Sequence, residues 1–471
     1  MPTPSYITTG LRTNQQESSI ESLPVTGTIP GWLQGTLLRN GPGMVELDKP
    51  VRHWFDGLAM LHRFAIHNGQ VSYLSRYLDC NAYRESVKAG RFTYSDFATD
   101  PCRSLFGKIQ TSFTADAGIT DSAKVNIGKV GNDLYALGEP LMQVKFDPAT
   151  LKSLGVYHFG RKSGSRMTTA HPHTDGNDAV NLVVEYGPVN HYKIISMQDP
   201  NRVLASMPIM HPSYMHSFGM SDRYFIITEF PLVVRSIELA LRRRPFIENF
   251  KWEPDRGTRF IIIDRSTGKV KARIKTPAFF GFHHVNAFET ADGLLTVDMV
   301  NYNDASVIGE YYINRLSSDD LEIPTGRLER FRIDVDGKRI VERKICSETC
   351  IELPHIPYDR VHGDPGYRYV YGCGINGSRR NEFYNQIVRI DIHSGITATW
   401  FQPGQYPGEP VFVPRPGATA EDDGVILSVV LDGSTSRSFL LILNAQDLTE
   451  IGRAGLPHGI PFGYHGYFHH N

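Results

Sequence analysis

Four imidazoles recurring at one phase of a repeated unit would make a metal site, and His171, His216, His283 and His465 are spaced that way. They follow the turn residues Asp147, Asp199, Asp264 and Asn444 by 24, 17, 19 and 21 residues. The windows 17 to 24 residues past all seven such turns hold six histidines, where composition alone gives about two; His284 and His355 are the remaining pair. Imidazole is a borderline ligand that suits iron, zinc, copper and nickel. Four neutral rings leave the full charge on the ion, and a six-coordinate metal would keep positions open for a small molecule. Such a set favours binding and activating a ligand over structural closure.

A metal-bound imidazole needs its second ring nitrogen fixed, usually by a carboxylate. Glu352 and Glu409 each stand 18 residues past a turn residue, Asp334 and Asp391, in units that lack a histidine of the set. Glu139, in LGEPLMQV, is the third candidate. No convincing nucleophile triad is apparent.

The element that must position these residues is a short apolar strand, a polar turn and a second strand. It recurs at 64–70 (FAIHNGQ), 144–150 (VKFDPAT), 195–202 (ISMQDPNR), 262–269 (IIDRSTGK), 331–339 (FRIDVDGKR), 388–396 (VRIDIHSGI) and 442–449 (ILNAQDLT). The turn residues run from His67 to Asn444 with a mean period of about 63 residues, a length at which repeats mean stacked or radial modules. Runs such as RYFIIT, RFIII and VILSVV read as strands. Meandering strand units must protect their edges, and radial closure does so. The expectation is an all-β, seven-bladed β-propeller forming a single domain over 21–471, with residues 1–20 as a loose polar arm.

Two stretches break the repeat. The 80-residue gap from His67 to Asp147 holds an insertion, and 231–252 (PLVVRSIELALRRRPFIENFKW) is the second. They predict a loop and helix cap over the metal-bearing axis, with insertions near 83–123 and 231–252. In the second, Leu232 and Val233 stand with other apolar residues beside Arg235, Arg242, Arg243 and Arg244. That pattern suits a peripheral membrane contact or an amphipathic helix packed on the propeller rim.

A net charge of −1 argues against a nucleic-acid partner, and 41% hydrophobic residues suffice for a large core. The N-terminus lacks a basic and apolar leader, and no run approaches the ~18 apolar residues that span a bilayer. Five cysteines, few and odd in number, suit a reducing compartment. These features predict a cytoplasmic, peripherally membrane-associated protein, with no protein partner inferred.

Local sequences then resemble the carotenoid cleavage oxygenase family from about Gly27 to His465. The motifs are LRNGPG at 38–43, FDGLAMLHRF at 55–64, AHPH at 170–173, MHSFGMSDRYFIIT at 215–228, FHHVNAFE at 282–289 and PFGYHG at 461–466. They continue in ALGEP, IELPHIP and GEPVFVPRPGATAEDDG around Glu139, Glu352 and Glu409. The resemblance selects His283 over His284, and it implies an Fe(II) cofactor on His171, His216, His283 and His465 with the three glutamates behind them. DPCRSLF at 100–106 and MHSFG resemble the branch of β-carotene oxygenases and the retinoid isomerase, although Thr99 replaces a proline of that signature. In the isomerase the signature cysteine is lipidated, which makes Cys102 a candidate lipidation or membrane-contact residue.

The resemblance implies a non-haem Fe(II) dioxygenase. It would cleave a conjugated C=C bond of a carotenoid or apocarotenoid with O2 to give two carbonyl products, through central cleavage to retinal on the branch indicated. The hydrophobic polyene would enter an aromatic tunnel walled in part by Phe282. The alternatives are a carotenoid or retinoid isomerase, a stilbene-cleaving oxygenase, and a non-catalytic propeller scaffold. O2 uptake and two aldehyde products separate the first from cleavage, a substrate screen the second, and tolerance of His→Ala at all four positions the third.

Overall fold

The computed structural model describes residues 6–14, 16–100, 120–159, 165–241, 244–377 and 381–470. Its strands form seven antiparallel sheets arranged as the blades of a propeller, plus one small two-stranded ribbon. Each of the seven turn residues sits at the hairpin joining the third and fourth strands of a blade. The turn chemistry explains the repeat. Asp147, Asp264 and Asp334 each accept, through Oδ1, the N–H three residues on, at 2.7, 2.9 and 2.8 Å. Asp391 and Asn444 accept the N–H two residues on, at 3.0 and 2.8 Å. Four residues past these five anchors the backbone turns left-handed, at Leu151, Gly268, Lys338, Gly395 and Leu448 (φ 54 to 74°). A short acceptor side chain opens the turn, and one left-handed residue closes it with a bulge.

The ring is closed twice. The C-terminal strand Gly466–His469 pairs with Gly35–Met44 and opens the first blade. The N-terminal strand Val25–Gly27 pairs with Glu450–Gly455 and completes the seventh. Strands that open adjacent blades meet around the axis, so residues just before them face the hub. Between blades the core is apolar. Phe260, Phe279 and Phe331 pack at 5.0 to 6.3 Å between the fourth and fifth blades, and each such side chain stabilises by ~1.5–3 kcal/mol.

The first twenty residues, read as a loose arm, pack on the propeller from Tyr6 onward. Ile7 is buried in a 3-10 turn, Ile7–Leu11, and Ser19–Ile20 pairs with Gln70–Tyr77 of the first blade. Polar composition hid a segment held by its backbone.

Among the described residues a third connection joins the two predicted ones in the cap. The helix Asn81–Ala89 ends at Gly90, whose left-handed backbone (φ 65°) closes it. Phe97 O accepts the N–H of Ile247 at 3.0 Å, so the two insertions seen in the sequence touch. The third carries the helices Ser306–Glu310 and Ile313–Leu316 inside the fifth blade, within the 70-residue interval from Asp264 to Asp334, the second longest between turn residues.

The stretch 231–252 differs from expectation. Leu232 and Val233 pair with Trp252 and Lys251, and both are buried (7% and 4% exposed). The ribbon uses their backbone groups and turns their side chains into the core, so they are not surface contacts. The exposed apolar side chains of this stretch are Ile237 and Leu241, 63% and 49% exposed on the helix Ser236–Leu241. Cys102 lies outside the described residues.

Candidate metal centre

Every blade places one polar residue within the three residues before, at the start of, or at a break in its opening strand. In blade order these are His465, Asn126, His171, His216, His283, Glu352 and Glu409. His465 and His283 immediately precede Gly466–His469 and His284–Glu289, and Glu352 opens Glu352–His355. His171 and Glu409 each interrupt a split opening strand. Seven strands converging on one axis therefore bring four imidazoles to one place.

One nitrogen from each of the four rings lies within 4.8 Å of the corresponding atoms of the others. His171 Nε2 and His216 Nε2 are 3.0 Å apart, and His283 Nε2 and His465 Nε2 are 3.2 Å apart. His216, His283 and His465 are buried, and His171 is half-buried.

Behind three of the rings stands a carboxylate. His216 Nδ1–H donates to Glu139 Oε1 at 2.8 Å, His283 Nδ1–H to Glu352 Oε2 at 2.6 Å, and His465 Nδ1–H to Glu409 Oε1 at 2.7 Å. Each glutamate is itself held. Tyr214 donates its hydroxyl to Glu139 at 2.7 Å, and Tyr302 donates to Glu352 Oε1 at 3.0 Å. Arg39 Nη1 donates to Glu409 Oε2 at 2.9 Å, and the N–H of Gly466 joins it at 2.8 Å. Burial disfavours the Glu409 carboxylate, but the His465 imidazole and the Arg39 guanidinium outweigh it and hold its pKa at about 2. Burial likewise opposes ionised Glu352, and His283, the Leu353 N–H and Tyr302 reverse it and lower its pKa.

These bonds dictate the chemistry at the hub. With Nδ1–H given to glutamates, His283 and His465 present bare lone pairs to each other at Nε2. Two acceptors 3.2 Å apart repel unless a cation lies between them, so the donor set fits a metal ion. Burial lowers the pKa of His465 to about 4 despite Glu409, and burial with four neighbouring imidazoles puts His171 far lower than usual. Both rings are therefore neutral at pH 7, as metal binding requires.

The other two histidines of the sequence windows point elsewhere. The His284 ring hydrogen-bonds with Ser217 Oγ through Nδ1 and with Thr228 Oγ1 through Nε2, each at 2.8 Å. His355 takes no part in the four-nitrogen group. Glu139 reaches the hub from the connection between the second and third strands of its blade, a route no phase rule describes. Asn126 escaped the sequence reading because the long insertion before Asp147 moves it out of phase. Arg39, Tyr214 and Tyr302 were also missed, although Arg39 lies in LRNGPG and Tyr214 two residues before His216.

Aromatic side chains crowd the cap side of the histidines. Phe282 lies 5.8 Å from the His216 ring and 5.8 Å from Phe55, and it stacks on Tyr311 at 6.3 Å. Phe97, Trp54 and Tyr464 extend the cluster through Phe55 at 5.3 to 5.7 Å.

Residues 11–470 match the family model for retinal pigment epithelial membrane protein. The chain is 34% identical to a carotenoid isomerooxygenase of Galleria mellonella, over 94% of this chain and 92% of the relative. It is 33% identical to human β,β-carotene 15,15'-dioxygenase, over 94% and 91%. A cobalt-substituted Synechocystis apocarotenoid oxygenase superposes with a TM-score of 0.86 at 29% identity, covering 99% of this chain and 98% of that one.

Proposed function

This chain belongs to the retinal pigment epithelial membrane protein family of carotenoid oxygenases, and from that premise we propose that it is a dioxygenase that cleaves a conjugated C=C bond of a carotenoid. The reaction adds both atoms of O2 across the broken double bond, giving two carbonyl products with no net proton gained or lost. The observation that carries this reading is the meeting of four imidazole nitrogens within 4.8 Å, three of them on rings fixed from behind by buried carboxylates.

Iron(II) is the metal we assign to this site, held by His171, His216, His283 and His465; when bound it supplies the binding and activation of O2. The chain's own groups do the rest. Glu139, Glu352 and Glu409 keep each Nδ1 protonated and each Nε2 turned to the hub. Phe282, Phe55 and Tyr311 offer flat apolar faces to a polyene and exclude water from it, so the cap chooses which double bond lies over the histidines. Central cleavage to retinal is the product assignment favoured by likeness to β,β-carotene 15,15'-dioxygenase.

The substrate is water-insoluble, and we assign its point of entry to a peripheral membrane contact. Ile237 and Leu241 are exposed on one short helix, with Arg235 and Arg244 exposed at its two ends. No helix among the described residues is long and apolar enough to cross a membrane.

The test is aerobic incubation of Fe(II)-loaded protein with β-carotene and with apocarotenals under 18O2. Two carbonyl fragments, each carrying label, are expected. Substrate recovered with unchanged mass and no O2 consumed would remove the cleavage reading. The likeness to an isomerooxygenase supports a second outcome, in which isomerisation accompanies cleavage, and the double-bond geometry of the products decides it.

A further inference from the structure

His171 is the exception in the metal-facing set. Among the described residues its Nδ1 has no carboxylate partner; Asn126 Nδ2 lies 3.5 Å from it. That amide is locked in orientation, because its Oδ1 accepts the Ile127 N–H at 2.8 Å and its Nδ2 donates to Ala170 O at 2.9 Å. A donor at the limit of hydrogen-bond range does not hold an imidazole ring as a carboxylate does. His171 must therefore be held by the chain on either side of it.

The second histidine of AHPH provides that hold. His173 begins the strand His173–Asp175, two residues past His171. One ring nitrogen, Nε2, donates to Phe218 O at 2.8 Å, which leaves Nδ1 to accept the Tyr358 hydroxyl at 2.7 Å. Phe218 lies two residues past His216, so the bond ties the strand carrying one metal-facing histidine to the segment carrying another. Tyr358 opens the short helix Tyr358–Val361, inserted in the sixth blade between Glu352–His355 and Tyr369–Gly374. Asn286 of the fifth blade anchors that insertion, donating Nδ2–H to Val361 O at 2.9 Å and accepting the Gly363 N–H at 3.0 Å. His173 thus ties the third blade to the fourth and the sixth, while Asn126 holds Ala170 from the second.

We infer that His173, clamped between Phe218 O and the Tyr358 hydroxyl, is a positioning residue that fixes His171 through the backbone, in place of the carboxylate its three counterparts have. The inference rests on the metal-centre reading. It gives AHPH a second role, with one histidine facing the hub and the other fixing the strand that presents it.

Cobalt(II) titration of the full-length protein, followed by its ligand-field absorption, tests this. Wild-type protein is expected to bind one equivalent. His173→Phe should lower cobalt affinity by ~10–100-fold and shift the absorption bands as one imidazole loosens. His173→Gln, whose amide N–H still reaches Phe218 O, should recover most of both, and Tyr358→Phe should fall between. If His173→Phe fails to fold, Tyr358→Phe decides, because it removes one hydroxyl only. Wild-type affinity and spectrum in the folded variants overturn the positioning role. Failure of the wild-type protein to bind cobalt overturns the metal-centre reading itself, a distinct result.

Discussion

His283 and His284 are adjacent in the chain and serve opposite sides of their strand. His283 directs Nε2 to the hub, 3.2 Å from His465 Nε2, while the His284 ring is bonded to Ser217 and Thr228. Successive side chains of an extended backbone point to opposite faces, so only one of two neighbours can meet the axis. His283→Ala should therefore abolish stoichiometric metal binding. His284→Gln should keep it and cost ~1–3 kcal/mol of stability from disturbed buried hydrogen bonds. Metal analysis beside thermal unfolding checks the pair, and equal metal loss in both variants would contradict the assignment.

The three carboxylates differ in what stands behind them. Glu139 is held by the Tyr214 hydroxyl, whereas Glu409 forms a buried ion pair with Arg39, whose side chain is 6% exposed. Glu139→Gln should lower metal affinity ~10–100-fold with little loss of stability. Glu409→Gln should do the same and also destabilise by ~3–5 kcal/mol, because it leaves a buried guanidinium without its counter-charge. Adding Arg39→Met to Glu409→Gln should restore much of that stability but not the affinity. Denaturant midpoints and metal titrations measured together separate the two effects.

Acid sensitivity follows from histidines away from the hub. His53 is fully buried, with Nε2–H donated to Ile308 O at 2.9 Å and Nδ1 accepting the Phe55 N–H at 3.0 Å, so both nitrogens are used by the neutral ring. Burial lowers its pKa to about 3, and burial likewise takes His62 to about 3. The unfolded chain binds protons at these positions below about pH 6.5 while the folded chain stays neutral. Stability is thus full above pH 6.5 and falls as pH drops toward 3, by ~1.4 kcal/mol per pH unit for each residue. Unfolding midpoints measured from pH 7.5 to 5 should decline accordingly, and a flat profile would exclude the effect.

The membrane assignment separates exposed from buried apolar residues in one segment. Replacing Ile237 and Leu241 by serine should reduce binding to anionic liposomes by at least ~10-fold, given ~1.5–3 kcal/mol for each fully buried aliphatic side chain, and leave the fold intact. Leu232→Ser should instead lower the melting temperature, because that side chain is in the core. Unchanged liposome binding in the double variant would move the contact elsewhere.

Much of the architecture is local chemistry and was legible in the chain. Acceptor side chains at Asp147, Asp264 and Asp334 shape hairpins through bonds spanning three residues, so their repetition announced seven blades before any contact was known. The histidine phase followed, because radial closure brings equivalent positions of successive blades to one level. Where an insertion shifted the phase, as before Asn126, the rule lost its residue.

What the sequence by itself determined was the count of blades, the residue types at the hub, and the glutamates at Glu352 and Glu409 that share their level. Tertiary structure decided the rest, because it depends on groups distant in the chain. His465 reaches the hub only when Gly466 pairs with Arg39 across the closed ring, and Arg39 in turn fixes the carboxylate behind that same histidine. Glu139 arrives from a loop, and the Leu232–Val233 ribbon turns inward because Lys251–Trp252 takes its backbone bonds. Periodicity reports which side chains can share a level around an axis. Closure, with the carboxylates it brings behind the rings, selects which nitrogen of which ring meets its neighbour there.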